Sequence, residues 1–287
     1  MSFKIITDSS ANLTNELIEK FNLDIISLKY YINGEEFESY IPGKETDLKA
    51  FYKRIADKEK ATTSLVGVDT FKKVFTEKLS EGGDVMYIGF SSGLSGTLQS
   101  AKIAAEDVLK SFPQQKLVVI DSLCAALGQG LFVYYICKLR EQGKSIEECA
   151  KWAEENRLHI CHWFTVDDLM YLKRGGRLSA TSAILGTILG IKPVLHMDDD
   201  GKLAVVSKAR GRKAALDALI KHMDDTAINL KDQYVFISHG DCIEDAQYVA
   251  DKIKGKVSNV LINTLEPVIG CHSGPGTLAL FFLGTKR

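Results

Sequence analysis

Short apolar runs alternate with amphipathic segments through the first half of the chain. The runs at residues 3–7, 25–32, 85–90 and 116–120 have the length and composition of buried strands. Apolar residues at helical spacing predict helices over 14–21 (capped by Asn12 or Thr14), 48–55, 69–79, 99–112, 124–141 and 145–157. Asn33-Gly34 predicts a hairpin turn. This alternation predicts a parallel sheet covered by helices.

The second half of the chain has a different pattern. Strands are predicted over 159–165, 193–197, 203–206, 234–238 and 259–263, and helices over 166–172, 183–191, 211–225 and 243–252. Residues 198–201 turn the second of these strands back onto the third as a hairpin. We therefore predict an α+β domain over 159–287, packed against an α/β domain over 1–158.

The loop at residues 91–97 (Ser-Ser-Gly-Leu-Ser-Gly-Thr) joins a buried strand to a helix. Hydroxyls and free backbone N–H groups at a helix N-terminus favour an anionic oxygen. The loop has neither the lysine of a P-loop nor the glycine spacing of a dinucleotide-binding turn. The competing interpretation is an ordinary strand-to-helix turn with a Ser or Thr cap.

Composition narrows the function classes. The 287 residues are 45% hydrophobic and 25% charged, which is enough to bury a large core. Thirty-six basic and 37 acidic residues give a net charge of −1, so nothing global points to nucleic acid or an anionic membrane. No apolar run approaches the roughly 18 residues of a membrane span, and the first residues enter a strand without a signal-peptide pattern. We expect a cytoplasmic protein.

Neither the cysteines nor the histidines predict a metal site. The six cysteines include no C-x-x-C pair and lie in apolar contexts, so we expect reduced core residues. His159 and His162 lack a ligand set, and we assign no metal and no cofactor.

Four segments in order carry a family resemblance: 7–10 (Thr-Asp-Ser-Ser), 91–97, 171–178 (Tyr-Leu-Lys-Arg-Gly-Gly-Arg-Leu) and 272–276 (His-Ser-Gly-Pro-Gly). Together they resemble the DegV family of fatty-acid-binding proteins, which includes the binding subunits of bacterial fatty acid kinase. The resemblance implies one long-chain fatty acid in a tunnel between two domains. It also implies a separate ATP-binding kinase subunit that phosphorylates the carboxylate to an acyl phosphate for phospholipid metabolism, and brief membrane contact for lipid exchange.

By the same resemblance, Thr63, Ser95 and the backbone N–H of Gly96 hold the carboxylate, with His272 as a third partner. Hydroxyls and N–H groups suit this task, because a buried carboxylate needs several donors and an unpaired buried charge is costly. The residues alone do not decide which hydroxyl of each cluster points inward. The secondary candidates are Ser64 and Ser92.

Two arginines are implied as contacts of the phosphoryl group or the kinase subunit, Arg177 and Arg210. Arginine binds phosphate oxygens in a bidentate manner, whereas Arg174 and Arg212 are interpreted as solvated surface charges. The apolar helix predicted over 183–191 is either a tunnel wall or ordinary core. One departure stands out: residues 65–67 are Leu-Val-Gly where the family usually has Gln-Pro-Ser.

The favoured interpretation is a non-catalytic lipid carrier, which rests on the four ordered segments and on the absence of a nucleotide-binding loop from the sequence. The alternative is a hydrolase or transferase with Ser95 or Ser92 as nucleophile and His272 as base, although no G-x-S-x-G elbow is present. A third hypothesis is a regulator that binds phosphate or sugar without an acyl chain. Identification of the bound ligand separates the three.

Overall fold

A computed structural model describes residues 3–178 and 190–287. Its strands are β1 (Lys4–Asp8), β2 (Asp24–Ile26), β3 (Lys29–Ile32), β4 (Glu35–Glu38), β5 (Ala61–Ser64), β6 (Val85–Gly89), β7 (Leu117–Asp121), β8 (Ile160–Thr165), β9 (Ile191–Met197), β10 (Leu203–Arg210), β11 (Tyr234–His239), β12 (Asn259–Thr264) and β13 (Leu278–Leu283). Its helices are α1 (Asn15–Lys20), α2 (Leu48–Ala56), α3 (Val68–Ser80), α4 (Thr97–Val108), α5 (Leu127–Glu141), α6 (Ile146–Asn156), α7 (Met170–Arg174), α8 (Arg212–Thr226), α9 (Ile243–Ile253) and α10 (Pro267–Ser273).

Four parallel strands form one sheet, in the order β2-β1-β6-β7. Every residue of β6 is buried, as expected of an inner strand in a helix-covered sheet. Because β1 lies between β2 and β6, the strand order reverses there, and ligands bind at such crevices beyond the carboxyl ends of the strands. The loop at 91–97 follows β6 and therefore starts at this crevice. The predicted parallel sheet is confirmed.

Strands β8 to β13 form a six-stranded mixed sheet, in the order β10-β9-β8-β13-β11-β12. Alternate residues of β11 serve different cores: Val235 and Ile237 pack with α8 and α9, whereas Phe236 joins the larger core that holds the parallel sheet. The predicted hairpin is present as the antiparallel pair β9 and β10. The mixed α+β character of the second half is confirmed.

A third, three-stranded antiparallel sheet (β4-β3-β5) corrects two predictions. The single strand predicted over 25–32 is two strands, since β2 pairs with β1 and the chain then leaves that sheet near Leu28, whose N–H donates to the Ser9 hydroxyl at 3.0 Å. The polar stretch 61–64, for which no element was predicted, is strand β5 and pairs with β3. The hairpin turn at Asn33-Gly34 is confirmed.

Helix α10 was not predicted and carries His272. Glu266 caps it by accepting the N–H groups of Val268 (2.8 Å) and Ile269 (2.7 Å), and Pro267 occupies its first turn. The short helix predicted over 166–172 is instead α7, and Thr14 rather than Asn12 caps α1. Most of the apolar helix predicted over 183–191 lies outside the described residues, and its last residue begins β9.

All six cysteines are unpaired thiols within the described part of the chain, and five of them are buried. This agrees with the predicted reduced core residues. No helix among the described residues is long and apolar enough to cross a membrane.

Candidate functional site

The start of the loop at 91–97 is fixed by the buried carboxylate of Asp8. Its Oδ2 accepts the Phe90 N–H (3.1 Å) and the Tyr87 hydroxyl (2.7 Å), while Oδ1 accepts the Gln129 amide (3.3 Å) and the hydroxyl of Ser10. Burial raises the pKa of Asp8, and these hydrogen bonds oppose the rise. The segment at 7–10 therefore does not itself line the cavity at Ser95; it holds the start of the loop at 91–97 in place.

The middle of the loop docks onto the turn between β9 and β10. The Ser91 hydroxyl donates to the Gly201 carbonyl at 2.7 Å. A side chain at Gly93 would place a Cβ 2.5 Å from the Asp200 carbonyl oxygen and 2.7 Å from that of Gly201. Glycine is thus required at 93 by close approach, and the loop is tied to both halves of the fold.

The end of the loop presents the Ser95 hydroxyl at the N-terminus of α4. Ser95 Oγ lies 3.0 Å from Thr97 Oγ1 and accepts the Thr97 N–H at 3.2 Å. Thr97 Oγ1 in turn accepts the Val66 N–H at 3.3 Å. Gly96 is the N-cap of α4 and has no capping side chain, so Ser95, one residue earlier, satisfies the first N–H of the helix in its place. The Ser95 hydroxyl proton is still available to a ligand when Thr97 donates the bond between the two hydroxyls.

Thr63 and His272 meet across the contact between β5 and α10, with Thr63 Oγ1 2.8 Å from His272 Nε2. The Nδ1 atom of His272 is buried against Gly175 and has no hydrogen-bond partner among the described residues. We place the ring proton on Nε2, because an unpaired buried acceptor costs less than an unpaired buried N–H. His272 then donates to Thr63, which leaves the Thr63 proton free for a ligand oxygen.

His272 is neutral at physiological pH. Burial, helped by the nearby Arg177 cation, lowers the pKa of His272 to about 4. The site near Thr63 therefore provides hydrogen-bond donors without a second full positive charge.

Arg177 links the loop to the turn after α7. Its Nε donates to the Leu94 carbonyl at 3.1 Å and its Nη1 to the Gly175 carbonyl at 2.5 Å. Burial lowers the pKa of Arg177 from its ordinary value. No carboxylate of the described residues pairs with it, so its charge can attract an anion.

These groups lie at a cavity of about 290 Å³. Both halves of the chain contribute to its walls. Its polar lining includes Thr63, Ser64, Ser95, Gly96, Arg177 and His272. Its apolar lining includes Leu28, Leu65, Phe90, Leu94, Phe164, Leu172, Met197, Leu203, Leu265, Val268, Ile269, Ala279 and Phe281. A mostly apolar cavity with a few polar groups is typical of a small-molecule site.

A second depression, of about 440 Å³, shares Thr63, Arg177 and His272 with the cavity. It also carries the exposed cations Lys58, Lys60 and Arg174. Glu59 in its lining is already paired with Arg54 at 3.0 Å. We call this the cationic depression. The three residues that line both spaces, Thr63, Arg177 and His272, we call the polar wall.

The structure brings six of the eight predicted site residues together and leaves two apart. Ser92 is exposed, and its N–H donates to Asp121 Oδ1 at 3.2 Å. Arg210 is exposed at the end of edge strand β10 and lines neither space. Ser92 therefore lies outside the cavity lining.

The geometry gives little support to the hydrolase alternative. Ser95 bonds to Thr97 and His272 bonds to Thr63, and no hydrogen bond joins Ser95 to His272 within the described residues. The unpartnered Nδ1 of His272 also has no carboxylate to orient it there. In residues 3–178 and 190–287, no group of His, Cys, Asp or Glu is arranged to hold a metal.

Comparison with known proteins identifies the family. A family model described as an uncharacterised protein of the DegV family matches residues 2–285. This chain belongs to the DegV family. It is 41% identical to a DegV domain-containing protein of Clostridium perfringens over 99% of this chain and 98% of the relative. It is 36% identical to one of Lactococcus lactis, over 100% and 99%.

Solved DegV structures share the fold. A protein of Thermus thermophilus, described by its fatty acid binding, gives a TM-score of 0.89 at 29% identity over 99% of this chain and 100% of its own. A Bacillus subtilis DegV, described as a fatty acid binding protein, gives 0.86 at 29% identity over 99% and 100%. A DegV lipid binding protein from Thermotoga maritima gives 0.88 at 28% identity over 100% of both chains. The predicted family and mixed α/β fold are confirmed.

Within this DegV protein, sequence reasoning missed much of the apolar lining. Strands β8 and β13 supply Phe164 and Phe281, each on the cavity-facing side of its strand. His162 also lines the cavity. Burial lowers the pKa of His162 well below its ordinary value, so the ring is neutral. Its Nε2 accepts the Ala125 N–H at 3.1 Å, and its Nδ1 lies 2.9 Å from the Ile160 carbonyl. Alternation along β8 was the signal that was available.

Proposed function

We propose that this protein binds one long-chain fatty acid in the apolar cavity. The observation that carries the proposal is a mostly apolar cavity whose polar wall offers neutral donors and one arginine. An acyl chain gains roughly 0.8 kcal/mol for each CH₂ group it buries. Three family members with solved structures are described as binding fatty acids or lipid, at 28–29% identity.

In this proposal the carboxylate accepts hydrogen bonds from Thr63, Ser95 and the Gly96 N–H, with Ser64 close by. His272 orients the Thr63 hydroxyl, and Arg177 holds the loop while adding positive charge. The cavity is built from residues of both halves of the chain, and we propose domains of residues 1–158 and 159–287 around it.

We further propose that the protein is a carrier that presents the carboxylate of its bound fatty acid to a separate fatty acid kinase subunit in the cytoplasm. The cationic depression supports this, since it adjoins the polar wall and carries charge suited to a phosphoryl group in transfer. Neutral donors leave the carboxylate oxygen more nucleophilic than a fixed salt bridge would. Arg210 is too exposed and remote from both spaces to act there, so we place it at most in partner contact.

The first test is mass spectrometry of lipid extracted from protein purified from a bacterial host. We expect about one equivalent of fatty acid per chain. Ser95→Ala should weaken fatty acid binding about tenfold or more, because a hydrogen bond to a charged group contributes roughly 1.5–3 kcal/mol.

Ser92→Ala is the matched control, since this hydroxyl lies in the same loop but outside the cavity. It should leave the affinity unchanged. A protein that is always recovered empty and binds no added fatty acid would refute the proposal. Equal losses in the two variants would refute the role of Ser95.

A further inference from the structure

Leu65 is both a cavity-lining residue and a solvent-exposed one. Its side chain lines the apolar cavity, yet the residue is 52% exposed. It extends over the N-terminus of α4, where a Cβ on Gly96 would lie 3.3 Å from Leu65 Cδ2. Leu65 therefore lies between solvent and the part of the cavity lined by Ser64 and Gly96.

The backbone on each side of Leu65 is held in place. Ser64 is the last residue of β5 and pairs with Lys29 of β3. Val66 is 5% exposed, and its N–H donates to Thr97 Oγ1 at 3.3 Å. The side chain can thus change rotamer while the chain around it stays fixed, and exposed side chains change rotamer in picoseconds to nanoseconds.

We propose that the side chain of Leu65 is a lid over the polar end of the cavity. In its observed position it keeps water from the carboxylate, which strengthens the hydrogen bonds beneath it. Turned outward, it opens a path between the carboxylate and solvent. This lid rests on the proposed function for its ligand, but its position against Gly96 does not depend on which ligand binds.

The first measurement is stopped-flow release of a fluorescent fatty acid. Leu65→Ala should speed release roughly three- to tenfold, as expected from losing about half the burial of a leucine side chain. Ile103→Ala is the control, because Ile103 lies on α4 outside the cavity lining and is similarly exposed, at 46%. A release rate unchanged by Leu65→Ala, or changed equally by Ile103→Ala, would overturn the lid.

The second measurement needs no fatty acid. Ser95→Cys places a thiol in the cavity lining, next to the Gly96 position that Leu65 approaches. Its modification by a charged methanethiosulfonate reagent is followed by mass spectrometry. Five native cysteines are buried, and burial raises the pKa of the sixth, Cys242, to about 12, so background labelling is slow.

Adding Leu65→Ala to Ser95→Cys should speed labelling at least threefold, whereas adding Ile103→Ala should not. Equal labelling rates in the two backgrounds would refute the lid even if fatty acid binds. Faster labelling in a protein that binds no fatty acid would support the lid and refute the proposed function, so the two failures are distinguishable.

Discussion

At the scale of single residues, the site depends on hydrogen bonds with a defined direction. His272 is neutral because burial and Arg177 lower its pKa to about 4, and its packing against Gly175 leaves only Nε2 for Thr63. The ring therefore acts by setting the orientation of a hydroxyl. In the proposed site, Thr63 contacts the carboxylate and His272 positions the threonine hydroxyl.

Thr63→Val should accordingly weaken fatty acid binding roughly ten- to a hundredfold, because it removes a donor to a charged group and leaves His272 Nε2–H unpaired. Isothermal titration with a delipidated protein measures the loss. Thr62→Val is the matched control, since Thr62 is the exposed neighbour on the same strand. An affinity within twofold of wild type for Thr63→Val would show that Thr63 does not bind the carboxylate.

At the scale of elements, α10 places His272 and two apolar lining residues, and its position depends on Glu266. This carboxylate is 8% exposed, caps the helix and accepts the Ser39 hydroxyl. Burial raises the pKa of Glu266 to about 7. Because the folded pKa lies above that of the unfolded chain, the stabilisation from protonated Glu266 is full below about pH 4.3 and is lost as pH rises through 7.

We expect this group to remove about 2–3 kcal/mol of unfolding free energy between pH 5 and pH 8. Glu266→Gln should flatten that part of the profile in urea unfolding, while Glu45→Gln, at an exposed carboxylate, should not. Parallel pH profiles for wild type and Glu266→Gln would contradict the raised pKa.

Elements with strong periodicity were predictable, and those fixed by tertiary contacts were not. Strand β6, the loop after it and helix α4 follow directly from apolar pattern and capping chemistry. Strand β5 is four polar or small residues, so only its pairing with β3 identifies it. Helix α10 is short and contains Gly270, yet Glu266-Pro267 was a readable start signal.

The candidate site likewise contains parts that a local sequence pattern predicts and parts that depend on tertiary contacts. The helix N-terminus alone predicts an anion-binding loop at 91–97, whereas the choice of Ser95, Gly96, Thr63 and His272 came from the family resemblance. The contact between Thr63 and His272 spans 209 residues, so no local pattern predicts it. Ser92 was misplaced because the tether from Ser91 to Gly201 turns the next residue outward. No local sequence pattern predicts a hydrogen bond between residues so far apart in the chain.

At the scale of the whole molecule, the apolar cavity and the cationic depression share, among the described residues, only the polar wall. We therefore predict that fatty acid binding and delivery to the kinase subunit can be separated by mutation. The double variant Lys58→Glu/Lys60→Glu should bind fatty acid with an affinity within twofold of wild type. With a fatty acid kinase subunit and ATP, it should form acyl phosphate at least tenfold more slowly, because reversed charge repels the phosphoryl donor.

Lys231→Glu, at an exposed lysine in the connection between α8 and β11, is the control and should behave as wild type in both assays. Normal acyl phosphate formation by the double variant would show that the cationic depression does not face the donor. Loss of fatty acid binding would show instead that the two spaces are not independent.

The wall formed by Thr63, Arg177 and His272 belongs to both spaces at once. Under the proposed function, a change at any of these positions alters both the retention of the fatty acid and the surface offered to the kinase subunit. Two genetic selections, one for retention and one for delivery, should converge on these same three codons. A second substitution at these positions that restores fatty acid retention should seldom leave delivery unchanged, and the reverse should also hold. We therefore expect family members to diverge in fatty acid preference first among the apolar lining residues.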